Sequence, residues 1–230
     1  MQHVPPEQAF QQVNGQWMQS SNHEVDGGSQ RAAMAEADQV MAAAFNQVAD
    51  VAGARDAERA GVQMLVIHGR TREQGYRGAA EYETVTAVKN AVRIPVVANG
   101  DITTPAKARQ VLSITGADAV MVGRAAQGQP WIFREMAHFL ETGTELAPPL
   151  VGEVRRLLLA HLEDHYALYG EHIGVLSARK HIGWYVRSLP GGEAFRSAMN
   201  RLADTQSQTR AVADYFDSLG TVMDRLPRPA

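Results

Sequence analysis

The chain contains no cysteine. Within these residues that excludes a disulfide framework, a thiolate metal site and a cysteine serving as nucleophile or acid. Long apolar runs are missing as well: nothing approaches the roughly 20 consecutive apolar residues of a membrane helix. No charged segment followed by an apolar core opens the sequence, so no secretion signal is expected, and the expected compartment is the cytoplasm. Charge of one sign is also scarce. Lys and Arg number 22 against 25 Asp and Glu, a formal net charge of −3. Any nucleic-acid contact must therefore come from a local patch and not from the field of the whole chain. Lysine occurs only at Lys89, Lys107 and Lys180.

What is present is ordinary globular material: 230 residues, 45% hydrophobic and 20% charged, enough for one large domain or one domain with a small companion. Its character changes twice. Residues 1–52 are rich in Gln, Asn, Ser and Ala, with a loop signal at Asp26-Gly27-Gly28-Ser29 and a thin apolar side over Gln30–Ala49; they read as a helical or disordered leader. From Gly53 the pattern becomes regular. A helix-like piece, Ala54–Ala60, leads into the apolar run Val62–Ile67, and a helix follows with Tyr82, Val85, Val88 and Val92 on one side. Next come Ile94–Ala98, a helix opened by Thr104-Pro105 and stopped at Gly116, a strand over Asp118–Val122, and a helix from Pro130. Short continuous apolar strands alternating with amphipathic helices indicate parallel βαβ units. Three strands are at most part of a (β/α)₈ barrel. After Pro148-Pro149 only helices are predicted: Val151–Leu168, Leu176–Leu189, and one or two more from Glu193.

In parallel α/β architectures the working loops follow the C-terminal strand ends. Three are readable here: His68-Gly69-Arg70-Thr71-Arg72, Asn99-Gly100-Asp101-Ile102 and Gly123-Arg124-Ala125-Ala126. Glycines after a strand admit a ligand close to the backbone, and an adjacent arginine supplies bidentate donors suited to phosphate. Asn99-Gly100-Asp101 with Gly123-Arg124 fits a phosphate-bearing ligand; the alternative is a set of tight turns. A histidine at a strand end, such as His68, contacts a cofactor, binds metal or caps its loop. No second ligand stands at a metal-like spacing from it, so no metal is expected. Arg70 and Arg72 face a polyanion or are solvated loop charges. In the helical part, Arg179-Lys180-His181 lies near Trp184 and Tyr185, a combination suited to RNA, although Glu153, Glu163, Asp164 and Glu171 dilute the charge.

Taken together, several segments resemble the bacterial tRNA-dihydrouridine synthases, and most of all their B-type branch. They are Val66–Arg72, Gly78–Tyr82, Ile94–Ile102, Thr115–Gly128 with Pro130–Phe133, and Ala178–His181 with Trp184-Tyr185. The match runs from about Gly53 to about Leu219. The resemblance implies an α/β fold, with 53–147 the last three βα units of an FMN-binding TIM barrel and 148–222 a helical tRNA-binding domain. It implies that Asn99, Gly100 and Asp101 line the ribityl and phosphate region of FMN, that Gly123 and Arg124 hold the phosphate, and that His68 sits near the flavin ring. Arg179 and Lys180 would face tRNA. The family reduces a tRNA uridine to 5,6-dihydrouridine with NADPH as reductant, and a cysteine donates the proton.

This chain departs from that pattern. The family's first five strands carry a Pro-Met segment, the cysteine loop and a lysine, whereas residues 1–52 are too short for five βα units when one βαβ unit takes about 30 residues. With the general-acid cysteine absent, no catalytic residue is assigned. The expectation is a truncated or mis-started gene product, its open barrel edges covered by a partner chain or by self-association. Two other readings remain beside an active synthase. One is a fragment without turnover that binds tRNA through its helices. The other is an FMN barrel oxidoreductase for a small molecule, for which the helical part has no evident use.

Overall fold

A computed structural model describes residues 10–13, 16–19, 51–71, 73–75 and 77–228. These fall into two compact units, Met1–Ala125 with Ile132–Glu145 and Ala126–Trp131 with Leu146–Ala230.

The first unit is α/β. Strands β1 (Phe10–Val13) and β2 (Gln16–Gln19) precede helix α1 (Val51–Arg59) and then β3 (Leu65–His68), α2 (Glu83–Ala91), β4 (Val96–Asn99), α3 (Pro105–Thr115), β5 (Ala119–Met121) and α4 (Ile132–Thr142). The sheet order is β1-β2-β5-β4-β3, with β3, β4 and β5 mutually parallel. Val66, Val97 and Ala119 cluster on one face with Met64 and Met121. Leu65, Ile67, Val96, Ala98 and Val120 alternate onto the other and are also buried. Burial on both faces explains why these strands read as continuous apolar runs. Asp118 ties the layers together: it accepts from Lys89 Nζ at 2.6 Å and from the Val96 amide at 2.7 Å. Helix α3 matches its sequence signals at both ends. The Thr104 side chain accepts from the Lys107 amide, Pro105 opens the helix, and Gly116 closes it in the left-handed region at φ 67°.

Two short segments of the leader differ from the expected helix. Residues 10–13 and 16–19 pair as antiparallel strands, not as helix. Their sequences flank Asn14-Gly15, the dipeptide favoured in two-residue hairpins, and the free edge of β5 gives β2 a parallel neighbour through Trp17 and Ala119. The stretch Gln30–Ala49, read with the leader as helical or disordered, lies outside the described residues.

The second unit is helical: α5 (Val151–Val186), α6 (Gly192–Met199) and α7 (Thr205–Gly220). Helix α5 is interrupted at Gly170, φ 71° and ψ 176°. Its two halves and α7 enclose Val154, Leu158, Leu162, Ile182, Val186, Val212 and Phe216, none more than 1% exposed. Gln208, fully buried, donates to the Val175 carbonyl at 3.2 Å and accepts from the Tyr166 hydroxyl at 2.8 Å. Both of its polar ends are thereby satisfied, as burial demands.

His161 and His165, one turn apart, meet His181 from the other half of α5. Ring centroids lie 5.0 Å apart for both pairs with His181. Burial, then the neighbouring imidazoles, lowers the His161 and His181 pKa values from the ordinary 6.5; Lys180 adds to the effect on His181, and Asp164 opposes it on His161. Tyr166, Tyr169, Tyr185, Trp184 and Ser177 complete the surroundings, and Gln208 of α7, bonded to Tyr166, is neutral. The unfolded chain therefore binds protons at a pH where the folded one resists them. Stability is full above the unfolded value and declines as pH falls below about 6.5 towards the lowered folded values. Melting curves of the full chain should hold steady from about pH 8 to about pH 7 and shift down below about pH 6.5. In His161→Gln with His181→Gln the shift should shrink. Parallel losses in both proteins would remove the assignment.

Candidate functional site

Strands β3, β4 and β5 run parallel, so the loops after them emerge at one end of the sheet. The register pairs His68 with Asn99. Two residues further along each chain stand Arg70 and Asp101, and they meet: Arg70 Nη2 donates to Asp101 Oδ2 at 2.5 Å. The same carboxylate oxygen accepts from the Ala80 amide at 2.8 Å. From the loop after β5, the exposed guanidinium of Arg124 reaches to within 3.7 Å of Oδ1. The hydrogen bond from Arg70, assisted by the Ala80 amide and by Arg124, outweighs partial burial and holds the Asp101 carboxyl below its usual pKa.

Backbone shape supports this convergence. Gly100 has φ 126°, and a Cβ there would stand 2.8 Å from Ala80 Cβ. Asp101 follows at φ 49°, the one positive φ outside glycine among the described residues. An aspartate in that region is held there by its surroundings. Tyr82 contributes by donating its hydroxyl to the Gly100 carbonyl at 2.6 Å; burial, then Asp101, raises that hydroxyl's pKa. Gly69 donates to the Asn99 carbonyl at 2.9 Å, and its own carbonyl accepts from the Glu81 amide at 2.8 Å. The loop after β3 is thus laced to both the loop after β4 and the 78–82 segment.

His68 is exposed, and its Nδ1 accepts from the Arg70 amide at 3.1 Å. Burial of part of the ring, then the charge of Arg70, lowers its pKa, with Asp101 pulling the other way and Arg124 reinforcing the fall. At neutral pH the ring is uncharged with its proton on Nε2. Asn99 donates weakly to Met121 Sδ at 3.4 Å. Gly123 is exposed, and a Cβ there would meet nothing within 4 Å.

Of the residues singled out in the sequence, His68, Asn99, Gly100, Asp101 and Arg124 gather at this end of the sheet, with Gly123 beside Arg124 in the chain. Arg179 and Lys180 belong to the helical unit. Arg179 turns inward, donating to the Leu202 carbonyl at 3.1 Å. Lys180 is exposed and stands 5.1 Å over the Trp184 ring. Arg72 lies outside the described residues. Arg70, which the sequence leaves open between a polyanion contact and a solvated charge, has a side chain only 5% exposed. Equal offsets from paired strand ends, Arg70 after His68 and Asp101 after Asn99, were the available signal. Among the described residues no group could hold a metal ion, and no helix is long and apolar enough to cross a membrane.

Residues 46–219 match the family model of dihydrouridine synthase (Dus). The chain belongs to the dihydrouridine synthase family. It is 55% identical over 163 residues to tRNA-dihydrouridine synthase B of Pseudomonas putida, covering 71% of this chain and 48% of that protein. The Xanthomonas axonopodis pv. citri protein of the same name is 55% identical over 166 residues, 72% of this chain and 50% of the relative. That of Klebsiella pneumoniae is 52% identical over 163 residues, 70% and 50%. The chain spans about half the length of the curated relatives it matches. The family match takes in all three strand-end loops and the helical unit as far as Leu219.

Proposed function

We propose that this chain carries the flavin-phosphate end and the RNA-binding helices of a tRNA-dihydrouridine synthase, an oxidoreductase that uses FMN and NADPH to reduce tRNA uridine to 5,6-dihydrouridine. The observation that carries the proposal is the convergence of His68, Asp101 and Arg124 at the ends of adjacent parallel strands, in a chain of this family. On this reading β3, β4 and β5 with their helices are the last three βα units of a TIM barrel over 53–147, and 148–222 is the tRNA-binding domain.

The residues present fit a phosphoflavin. The backbone at Gly123 borders open space, beside an exposed guanidinium whose geometry suits phosphate. Asp101 does not repel that phosphate strongly, because Arg70 and Arg124 flank its charge. When bound, FMN supplies the hydride for the base. The chain's own part would be to grip and orient: Gly123 and Arg124 would hold the phosphate, Asn99-Gly100-Asp101 would border the ribityl chain, and His68 would offer a neutral Nε2–H donor towards the ring. The base must leave its stack to reach such a site, at a cost of a few kcal/mol that contacts between the helical unit and tRNA offset. Lys180, exposed above Trp184, is the contact favoured here, while Arg179 steadies the turn at Leu202.

None of the 230 residues is a cysteine, so the thiol proton donor is not supplied by this chain. Loss of a general acid lowers rate by roughly 10²–10⁴-fold. That absence favours a second reading, retention of tRNA without turnover. An FMN titration followed by flavin absorbance tests the main proposal. Saturable uptake is expected, weakened about 10–100-fold in Arg124→Ala, the scale of one charge-assisted hydrogen bond. No saturable uptake by the unaltered chain sinks the flavin reading. Filter retention of tRNA, lost on Lys180→Ala, would then support the second.

A further inference from the structure

We infer that Arg70 is a positioning residue of the strand-end site: a buried cation that sets Asp101 and through it Arg124, and that holds His68 from its own backbone, without meeting the ligand itself.

The case starts from burial. A guanidinium 5% exposed is out of reach of a polyanion, yet burying it is costly unless it is paired. Its pairing spans three segments. Nη2 donates to Asp101 in the loop after β4 and, at 2.8 Å, to the Gly78 carbonyl of the 78–82 segment, while the Arg70 amide holds His68 Nδ1. Arg70 Nε is buried without a hydrogen-bond partner, a cost tolerated where the remaining contacts fix a geometry. Asp101 keeps its left-handed backbone at φ 49° because its carboxylate is anchored by Arg70 and the Ala80 amide. Arg124 then leans on the other carboxylate oxygen. A buried cation thus fixes an anion, and the anion stations an exposed cation beside the open backbone of Gly123. The charged groups facing His68 are the same three, Arg70, Asp101 and Arg124, so the ring reports on this brace directly.

The flavin half of this inference rests on the function proposed above; the histidine half does not. The test uses the full chain, with NMR titration of His68 and binding of FMN and riboflavin, which differ by the phosphate. In Arg70→Gln, which keeps the backbone amide on Nδ1 but removes the neighbouring charge, His68 should titrate at higher pH. FMN binding should weaken by roughly 10–100-fold, the scale on which orienting partners act, while riboflavin binding changes little. Arg70→Lys keeps the charge and loses the two-way reach, so it should hold the His68 titration near the unaltered one yet lower the preference for FMN over riboflavin. If Arg70→Gln does not fold, the lysine variant decides: an unchanged FMN-to-riboflavin preference overturns the inference. If the unaltered chain takes up neither flavin, the flavin reading fails, and an unmoved His68 titration in Arg70→Lys and Arg70→Gln alike overturns the brace separately.

Discussion

Alanine at Gly69 is expected to destabilise the α/β unit by about 2–4 kcal/mol and to abolish measurable FMN uptake. The added Cβ would stand 2.2 Å from the Glu81 carbonyl oxygen and 3.0 Å from Ala80 Cβ. The obstacle is backbone and cannot swing aside. Nor can Gly69 retreat, because its amide is bound to the Asn99 carbonyl and its carbonyl to the Glu81 amide. Overpacking of this kind costs about 1–3 kcal/mol, and breaking one lacing hydrogen bond adds about 1 kcal/mol. Against a total stability of about 5–15 kcal/mol that is a large share. Gly123→Ala is the counterpart. Its Cβ would meet nothing within 4 Å, so stability should stay within about 0.5 kcal/mol while FMN binding weakens, because the methyl occupies space assigned to phosphate. Denaturant melts and FMN titrations of both variants check this. A Gly69→Ala protein as stable as its parent would show that the 78–82 segment is not held against the β3 loop as described.

The parts of the fold governed by local chemistry were legible. Thr104-Pro105 and Gly116 mark α3 at both ends because capping and left-handed closure depend on a few adjacent residues. The apolar runs at 62–67, 94–98 and 118–122 located β3, β4 and β5 to within a few residues, since burial on both faces leaves no alternative composition. Features set by distant partners were not legible. Arg70 looks like any loop arginine until the strand register brings it opposite Asp101. Arg179 donates to the Leu202 carbonyl, 23 residues away, a partner that no local pattern around Arg179 announces. The pairing of strands 10–13 and 16–19 had a local signal in the Asn14-Gly15 sequence between them, which the surrounding Gln- and Asn-rich composition obscured. In the helical unit, Gly170 separates two helical stretches that run on to either side of it; the sequence pattern suggested a longer gap, because the residues beside the break, Leu168, Tyr169 and Ile173, are exposed and carry no core periodicity.

Phe216→Ala should remove about 3–5 kcal/mol from the helical unit, the range for deleting a buried ring. Phe216 is 1% exposed and is enclosed with Leu158, Leu162, Ile182 and Val212. Whether the loss lies at the upper end depends on how far the helices can close over the cavity. Here they are restrained: Gln208 of α7 is bonded to the Val175 carbonyl in one half of α5 and to the Tyr166 hydroxyl in the other. Sliding α7 inward would strand those buried polar groups, so the upper half of the range is expected. Phe216→Leu keeps most of the volume and should cost under about 1.5 kcal/mol. Chemical denaturation followed by far-ultraviolet circular dichroism separates the two, and equal losses would mean that the core relaxes freely and the Gln208 clamp does not constrain it. The pair also sharpens the RNA reading. If the helices grip tRNA through their folded surface, Phe216→Ala should lose tRNA retention in proportion to unfolding and regain it where the unit is refolded by stabilising solutes. Lys180→Ala, which removes only an exposed contact, should lose retention with its melting curve unmoved. A Lys180→Ala protein that retains tRNA as the parent does would move the RNA contact off this face of α5.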